Sequence, residues 1–488
     1  MRNLIKKPCW ESSDLGQPIP DNLHAVSVAL PTWKDVINYE EKNKECINSL
    51  KSIYPRFGFN PLIKEIEQLA ISKTSSKFTS AWPYSNFKLA EKAQEFCENK
   101  LQNQSTQIIE INGLSCLMVE EHASKLAKSF WQHSGLGASS REAAIALQKE
   151  SKPSQEDAIA AKEKIKERLS ILYQIPNEYI FLMPSGMASL YSALELIYGI
   201  FPKAKTLQIG FPYVDVLKLP QTIFEGAELI LNTNSIDLEQ KILEKKPSAI
   251  IVELPSNPLL KCVDLKSISL LSRKHKIPLI ADDTIGSAFN LRSLNYVDIV
   301  FSSLTKSFSG SGDIMAGSLT LNPKSYFAKK FLNQIKSTYK AELSDAEAIA
   351  LEKASRDIFS RLPNLNSACL ELKRRLETHP NIKNIFHPEG CKNYESLMIQ
   401  KDGYGCLFSI ELKGGEDHAK NFFNTLQISK GPSLGTTFSL ACPYVQLAHY
   451  KELEWAEKCG VPKNLIRISV GLEGINHLHE IFLNSLKN

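Results

Sequence analysis

From about Glu178 onward, short apolar runs alternate regularly with longer amphipathic stretches. Apolar runs bounded by Gly, Pro, Asn and Asp predict strands. They fall at Ile180–Met183, Thr206–Ile209, Glu228–Leu231, Ala249–Glu253, Leu279–Ala281, Asp298–Phe301 and Ala316–Leu321. Apolar positions three and four apart predict helices between them, at Ala188–Tyr198, Leu238–Lys245 and Leu265–His275, with another after Lys324. Strand and helix in turn is the mark of an α/β protein with a mostly parallel, doubly wound sheet. A helical stretch around Asp345–Leu376 follows. A smaller α+β piece closes the chain, with strands near Gly405–Leu412 and Ile466–Val470 and a helix at Asp417–Leu426.

The first part of the chain is less regular. A strand-like run at Ala25–Leu30 lies among prolines, and the turn-rich Tyr54–Pro61 leads into a helix at Leu62–Ile71. Residues 72–130 are lysine-rich and helical in pattern, with a strand-like interruption at Gln107–Ile111. The loop Trp131–Arg141 has the glycines and serines of an anion-binding segment, and an amphipathic helix spans Glu156–Ile171. His133 has no metal partner nearby and reads as structural. These patterns divide the chain into an N-terminal extension (1–150), a large domain (151–340) and a small C-terminal domain (341–488).

A net charge of +5 with interleaved lysines and glutamates, and no basic cluster carrying aromatics, excludes a nucleic-acid partner. Ten scattered cysteines without a C-x-x-C pair read as reduced thiols and give no metal site. The N-terminus lacks the apolar region of a signal peptide and no run reaches membrane-spanning length, so a cytoplasmic protein without membrane contact is expected.

Candidate chemistry gathers where the strands end, which is where doubly wound sheets hold ligands. Ser185-Gly186-Met187 turns from a strand into a helix whose free N–H groups suit a phosphate, although an ordinary helix cap reads the same way. Tyr213 is a ring able to stack on an aromatic cofactor, or simply to pack. Asn257, boxed between Pro255 and Pro258, can meet a phenolic oxygen. Asp282 leaves an apolar strand and needs a cation, such as a protonated ring nitrogen. The run from Val297 ends at Ser303-Leu304-Thr305-Lys306. Lys306 there loses solvation, which lowers its pKa and suits a Schiff-base amine. Ser303 and Thr305, two apart, point to one side of an extended chain and can donate to a phosphate. Taken alone, S-x-T-K reads more simply as a solvated lysine in a serine-rich loop. Together these features are the equipment for pyridoxal 5′-phosphate.

Through these motifs, and through Ser433-Leu434-Gly435 and Arg467–Glu473, residues from about 178 to 488 resemble the transsulfuration (Cys/Met metabolism) family of pyridoxal-phosphate enzymes. His24–Val28, Tyr54-Pro55-Arg56-Phe57, Trp131–Arg141, Gly210–Tyr213 and Cys442-Pro443-Tyr444 extend the resemblance toward long, fungal-type cystathionine γ-synthases. The resemblance implies a fold type I transferase with a seven-stranded sheet, and a homo-oligomer, dimer or tetramer, with shared active sites. It implies that Lys306 holds the cofactor and shuttles protons. Asp282 would pair with the pyridine nitrogen beside Thr284, Tyr213 would stack on the ring, and Asn257 would meet its phenolic oxygen. Gly186, Met187, Ser303 and Thr305 would bind phosphate; Arg467 and Ser433 would hold the substrate carboxylate. The implied reaction is γ-replacement on an O-acylhomoserine, acetyl or succinyl, by cysteine, giving cystathionine in methionine biosynthesis. A γ-lyase, an O-acetylhomoserine sulfhydrylase or substitution by another nucleophile would use the same equipment. A non-catalytic regulatory protein is the remote alternative.

Three departures stand out. Asp283 replaces the family's asparagine, and Thr436-Thr437-Phe438 follow the S-L-G motif where a glutamate is common. The family's Tyr-x-Arg pair, lent by the neighbouring subunit, lies just ahead of the S-G-M turn. Tyr54-Pro55-Arg56 matches its letters far upstream, while Arg141 is nearer the expected place and is favoured as the phosphate contact.

Overall fold

The computed structural model describes residues 2–102, 105–231 and 235–487. Helix α1 (Trp33–Glu40) starts at Thr32, whose hydroxyl accepts the Asp35 N–H while Asp35 reaches back to the Thr32 N–H. Trp33 and Val36 bury their apolar faces in the core of the C-terminal sheet. The chain then builds a layer from α2 (Pro61–Ser72), β1 (Ser80–Tyr84), α3 (Phe87–Leu101), β2 (Thr106–Ile111), β3 (Leu114–Val119) and α4 (Glu121–Ser134). Strand β3 lies between β1 and β2 and is antiparallel to both. Residues 72–130 are therefore a mixed layer rather than a mainly helical region. Leu114–Val119 is buried on both faces and so shows no alternation, and β1 tolerates Pro83 because it is an edge strand.

Helix α5 (Gln155–Tyr173) leads to β4 (Ile180–Met183), α6 (Gly186–Tyr198), β5 (Thr206–Ile209), α7 (Val214–Ile223), β6 (Ala227–Ile230), β7 (Ile250–Glu253), β8 (Leu279–Asp282), β9 (Ile299–Ser303) and β10 (Gly317–Leu321). The seven strands form one sheet in the order β4-β10-β9-β8-β7-β5-β6. All pairings are parallel except those of β10, which is antiparallel to β9 and β4. Each strand starts and ends close to where the apolar pattern puts it.

The helical stretch after Asp345 is two helices, α8 (Asp345–Ala354) and α9 (Ile358–Leu376). Beyond them β11 (Ile382–Phe386), β12 (Leu407–Leu412), β13 (Ser429–Lys430), β14 (Leu440–Pro443) and β15 (Ile466–Ser469) form a second sheet, ordered β11-β12-β15-β14-β13.

The N-terminal layer shares a core with the large sheet. Trp82, Leu117 and Phe130 belong to one buried cluster with Met183, Leu190 and Phe301. Burying a side chain of this size contributes about 1.5–3 kcal/mol, so the cluster ties residues 80–136 firmly to the chain's own sheet. No helix among the described residues is long and apolar enough to cross a membrane.

Candidate active site

Parallel pairing puts Glu253 level with Asp282, and Asp282 level with Phe301, so the carboxyl ends of β7, β8 and β9 finish side by side. A cavity of about 410 Å³ opens there. Lys306, three residues past the end of β9, is buried in it. Burial holds its amine below the ordinary lysine value. Its Nζ donates to the Tyr54 hydroxyl at 2.9 Å and lies 4.7 Å from the centre of that ring. Burial alone would push Tyr54 up, but the charges of Lys306 and Arg56 bring it down to about 8. Both pKa values are thus drawn toward neutral pH, and the hydrogen bond gives a proton a direct path between amine and phenol.

Arg56 is buried beside them, donating to Asp215 Oδ2 at 2.8 Å and to the Tyr213 hydroxyl at 2.5 Å. Its φ of 113° lies where L-residues seldom sit, a strain the surrounding contacts hold in place. Asp215 also faces His133 Nδ1 at 3.2 Å; despite burial, Arg56 and His133 hold its carboxyl down at about 2. His133 thus orients an acid; among the described residues no group of three or more His, Cys, Asp or Glu is placed to hold a metal ion.

The floor carries two carboxylates. Asp282 accepts the Thr284 N–H at 2.9 Å, and Thr284 Oγ1 accepts the Ser303 N–H at 2.9 Å. Burial raises Asp282 to about 6, its hydrogen bonds to Thr284 opposing. Glu253 Oε2 accepts the N–H groups of Tyr213 at 2.8 Å and Asn257 at 3.2 Å. Burial, then the charge of Asp282, pushes Glu253 well up, so Glu253 holds the proton and leaves Asp282 to ionise when a cation arrives. The extra acid, Asp283, points away from the cavity. It accepts from the Tyr173 hydroxyl at 3.1 Å and from Ser293 Oγ at 3.0 Å.

Arg467, from β15, donates to Asn257 Oδ1 at 3.3 Å and to the carbonyls of Pro432 and Ser433 at 3.0 and 3.1 Å. The Tyr444 ring centre lies 5.1 Å from its guanidinium. The Tyr444 hydroxyl and Ser433 Oγ are both buried without a hydrogen-bond partner among the described residues.

Gly186, Met187, Tyr213, Asn257, Asp282 and Thr284 all line the cavity, as do Ser303, Lys306 and Arg467. A Cβ on Gly186 would stand 2.8 Å from Ser303 Cβ, so only glycine lets α6 start against the end of β9. Three expected residues are placed differently. Arg141 binds Glu347 at 3.0 Å and the Asp313 carbonyl at 2.6 Å outside the cavity, whereas Arg56, the other candidate, lines it. Thr305 Oγ1 accepts the Ala316 N–H at 3.0 Å, because the chain turns after Ser303 and the two hydroxyls no longer share a side. Ser433 offers Arg467 its carbonyl, while its own hydroxyl stays apart from the cavity lining. Sequence reasoning also missed Glu253 and Asp215. Glu253's one signal was its strand-end position and Asp215's its place in the first turn of a helix, and many structural residues share both.

The residues present fit pyridoxal 5′-phosphate. Asp282 is a buried acid with no cation paired to it among the described residues, as a protonated ring nitrogen requires. The first N–H groups of α6 lack carbonyls one turn back; Ser185 takes that of Ala188, and Gly186 and Met187 face the cavity.

The comparisons agree. A family model for the Cys/Met metabolism PLP-dependent enzymes matches residues 165–487. The cystathionine gamma-synthase of Saccharomyces cerevisiae is 31% identical, with 98% of this chain and 99% of that protein aligned. That of Neurospora crassa is 29% identical over 97% and 98%. The crystal structure of cystathionine gamma synthase from Xanthomonas oryzae pv. oryzae in complex with aminoacrylate and cysteine superposes with a TM-score of 0.59 at 20% identity, covering 69% of this chain and 89% of that one. With its buried lysine, its unpaired acid and its helix start gathered at the carboxyl ends of a seven-stranded sheet, this chain belongs to the Cys/Met metabolism family of PLP-dependent enzymes.

Proposed function

We propose that the enzyme catalyses γ-replacement: the thiol of cysteine displaces the acyl group of an O-acylhomoserine, forming the C–S bond of cystathionine and releasing the carboxylic acid. One observation carries the reading. Lys306 and Tyr54 form a hydrogen-bonded amine–phenol pair in the same cavity as Arg467. A γ-replacement needs protons taken from and returned to two neighbouring carbons of the substrate, Cα and Cβ, while the Cγ–O bond breaks and the C–S bond forms. That calls for a mobile base above one bound amino acid, and an amine whose proton can rest on a neighbouring phenol is such a base.

Pyridoxal phosphate, when bound, supplies the electron sink that makes those carbons acidic. The chain's own residues do the rest. Arg467 holds the substrate carboxylate, with Asn257 and the Pro432 carbonyl fixing its fork. Asp282 balances the charge of the ring nitrogen, and protonated Glu253 keeps a second negative charge away from it. Arg56 fixes the Tyr213 ring through its hydroxyl and brings positive charge to the cavity that the helix start also lines. The full-length relatives named cystathionine gamma-synthase favour cysteine as the thiol.

The test is product analysis with the pyridoxal-loaded enzyme, supplied with O-acetyl- or O-succinylhomoserine and a choice of thiols. Cystathionine from cysteine is expected. Homocysteine formed only from hydrosulfide would assign a sulfhydrylase. 2-Oxobutanoate and ammonia released at the same rate with or without a thiol would assign a lyase and refute the proposal.

A further inference from the structure

The cavity extends past the amine and the guanidinium to a mouth where two distant parts of the chain meet. One is the end of α1, carrying Tyr39 and Glu40; the other is the segment Leu447–Glu452. The Tyr450 hydroxyl donates to Glu41 Oε1 at 2.5 Å, which fastens one to the other. At this mouth Glu452 is taken by Lys218 at 2.5 Å. Glu40 and Lys451 have no hydrogen bond or ion pair within 4 Å among the described residues, yet both line the cavity. They sense each other through space. Burial lifts the Glu40 carboxyl to about 7, and Lys451 and then Lys42 oppose it. An unpaired carboxylate partly out of water is costly unless something cationic meets it. Here the acid and the nearby lysine border the entrance to a site that already has its own group for one amino acid, Arg467.

We propose that Glu40 and Lys451 bind the second substrate, taking the ammonium and the carboxylate respectively of a thiol-bearing amino acid. This rests on the γ-replacement reading above and deepens it, because it says why the nucleophile is an amino acid. Hydrosulfide and simple thiols bring neither charge. An α-amino acid brings both, about one side chain's length from its sulfur, so it can span from the mouth toward the reacting carbon. The N-terminal region that carries Glu40 lies outside the residues matched by the family model. In this chain the choice of nucleophile is thereby assigned to that added region.

The experiment varies the thiol at saturating O-acylhomoserine. Cysteine carries both charges, cysteamine only the ammonium, 3-mercaptopropionate only the carboxylate, and 2-mercaptoethanol neither. Glu40→Gln keeps shape and removes charge. It is expected to lower kcat/KM for cysteine and cysteamine at least tenfold relative to 3-mercaptopropionate. Lys451→Ala is expected to do the converse, discriminating against cysteine and 3-mercaptopropionate relative to cysteamine. Equal losses for all four thiols in Glu40→Gln, or no loss for cysteine, overturn the assignment while leaving γ-replacement intact. A wild-type enzyme that joins none of the four to the four-carbon unit overturns the γ-replacement reading itself, and this assignment with it. Melting temperatures of both variants separate loss of fold from loss of recognition; Glu40→Asp serves if Glu40→Gln is unstable, and the same ratio is read.

Discussion

Replacing Asp283 with asparagine tests whether the acid behind the site carries a cost. Asp283 is fully buried, and no cation pairs with it among the described residues. Burial raises its carboxyl from an ordinary 3.8 to about 7, with the hydrogen bond from Ser293 opposing and the charge of Asp282 adding to the rise. The folded state therefore binds this proton more tightly than the unfolded chain. Its contribution to stability is complete below 3.8, declines as pH rises, and is lost above about 7. At about 1.4 kcal/mol per unit, the full span costs about 4 kcal/mol by pH 8, an upper bound for a site that can relax. Asparagine is uncharged at every pH and keeps one oxygen for the Tyr173 and Ser293 hydroxyls; the lost acceptor costs about 1 kcal/mol. The Asp283→Asn enzyme should thus be more stable than wild type at pH 8, and that advantage should shrink by roughly 2–3 kcal/mol on going down to pH 5. Denaturant midpoints and melting temperatures of both proteins at pH 5, 6.5 and 8 provide the measurement. Parallel pH dependences would refute the reasoning, because they would mean that Asp283 titrates alike in the folded and unfolded chains.

Three further outcomes follow from the geometry. Arg467→Lys removes the guanidinium fork and should raise KM for the O-acylhomoserine by about 30- to 100-fold, the worth of a charge-assisted pair of hydrogen bonds; an unchanged KM would move the carboxylate elsewhere. Tyr54→Phe deletes the hydroxyl on Lys306 and with it an interaction that raises the amine's pKa. It should lower kcat about 10- to 100-fold and shift the acid limb of its pH profile downward, whereas a loss without a shift would make Tyr54 merely a packing residue. Tyr54 and Arg56 stand in the site of their own chain, so mixed oligomers of Lys306→Ala and Arg56→Ala chains should be no more active than either parent. Recovery to about a quarter of wild-type activity in the mixture would instead show sites built from two subunits.

How far the sequence carries depends on what kind of contact makes each feature. The seven strands were legible because most are short, largely apolar runs between turn residues, a local signal. The direction of Asp282, the last residue of β8, was legible as that of a strand-end acid; Asp283 lies one residue past the strand, where alternation no longer fixes a side. What the chain did not reveal was which side the cavity was on, and hence that Asp283 would find Tyr173, 110 residues away. Thr305 failed by the same rule applied one step too far, since alternation ends with the strand at Ser303. Arg141 failed for a different reason. It lies near the phosphate turn in sequence but is claimed by Glu347 and Asp313, whereas Tyr54 reaches Lys306 across 252 residues. Nothing local at Tyr54-Pro55-Arg56 specifies that journey. It is made by the layer of residues 59–136, whose apolar side chains pack partly into the core of the large sheet and bring the upstream turn over its carboxyl edge. The residue pair that completes the site is thus positioned by packing in a region without catalytic groups of its own, so a motif search that scores spacing along the chain ranks it low.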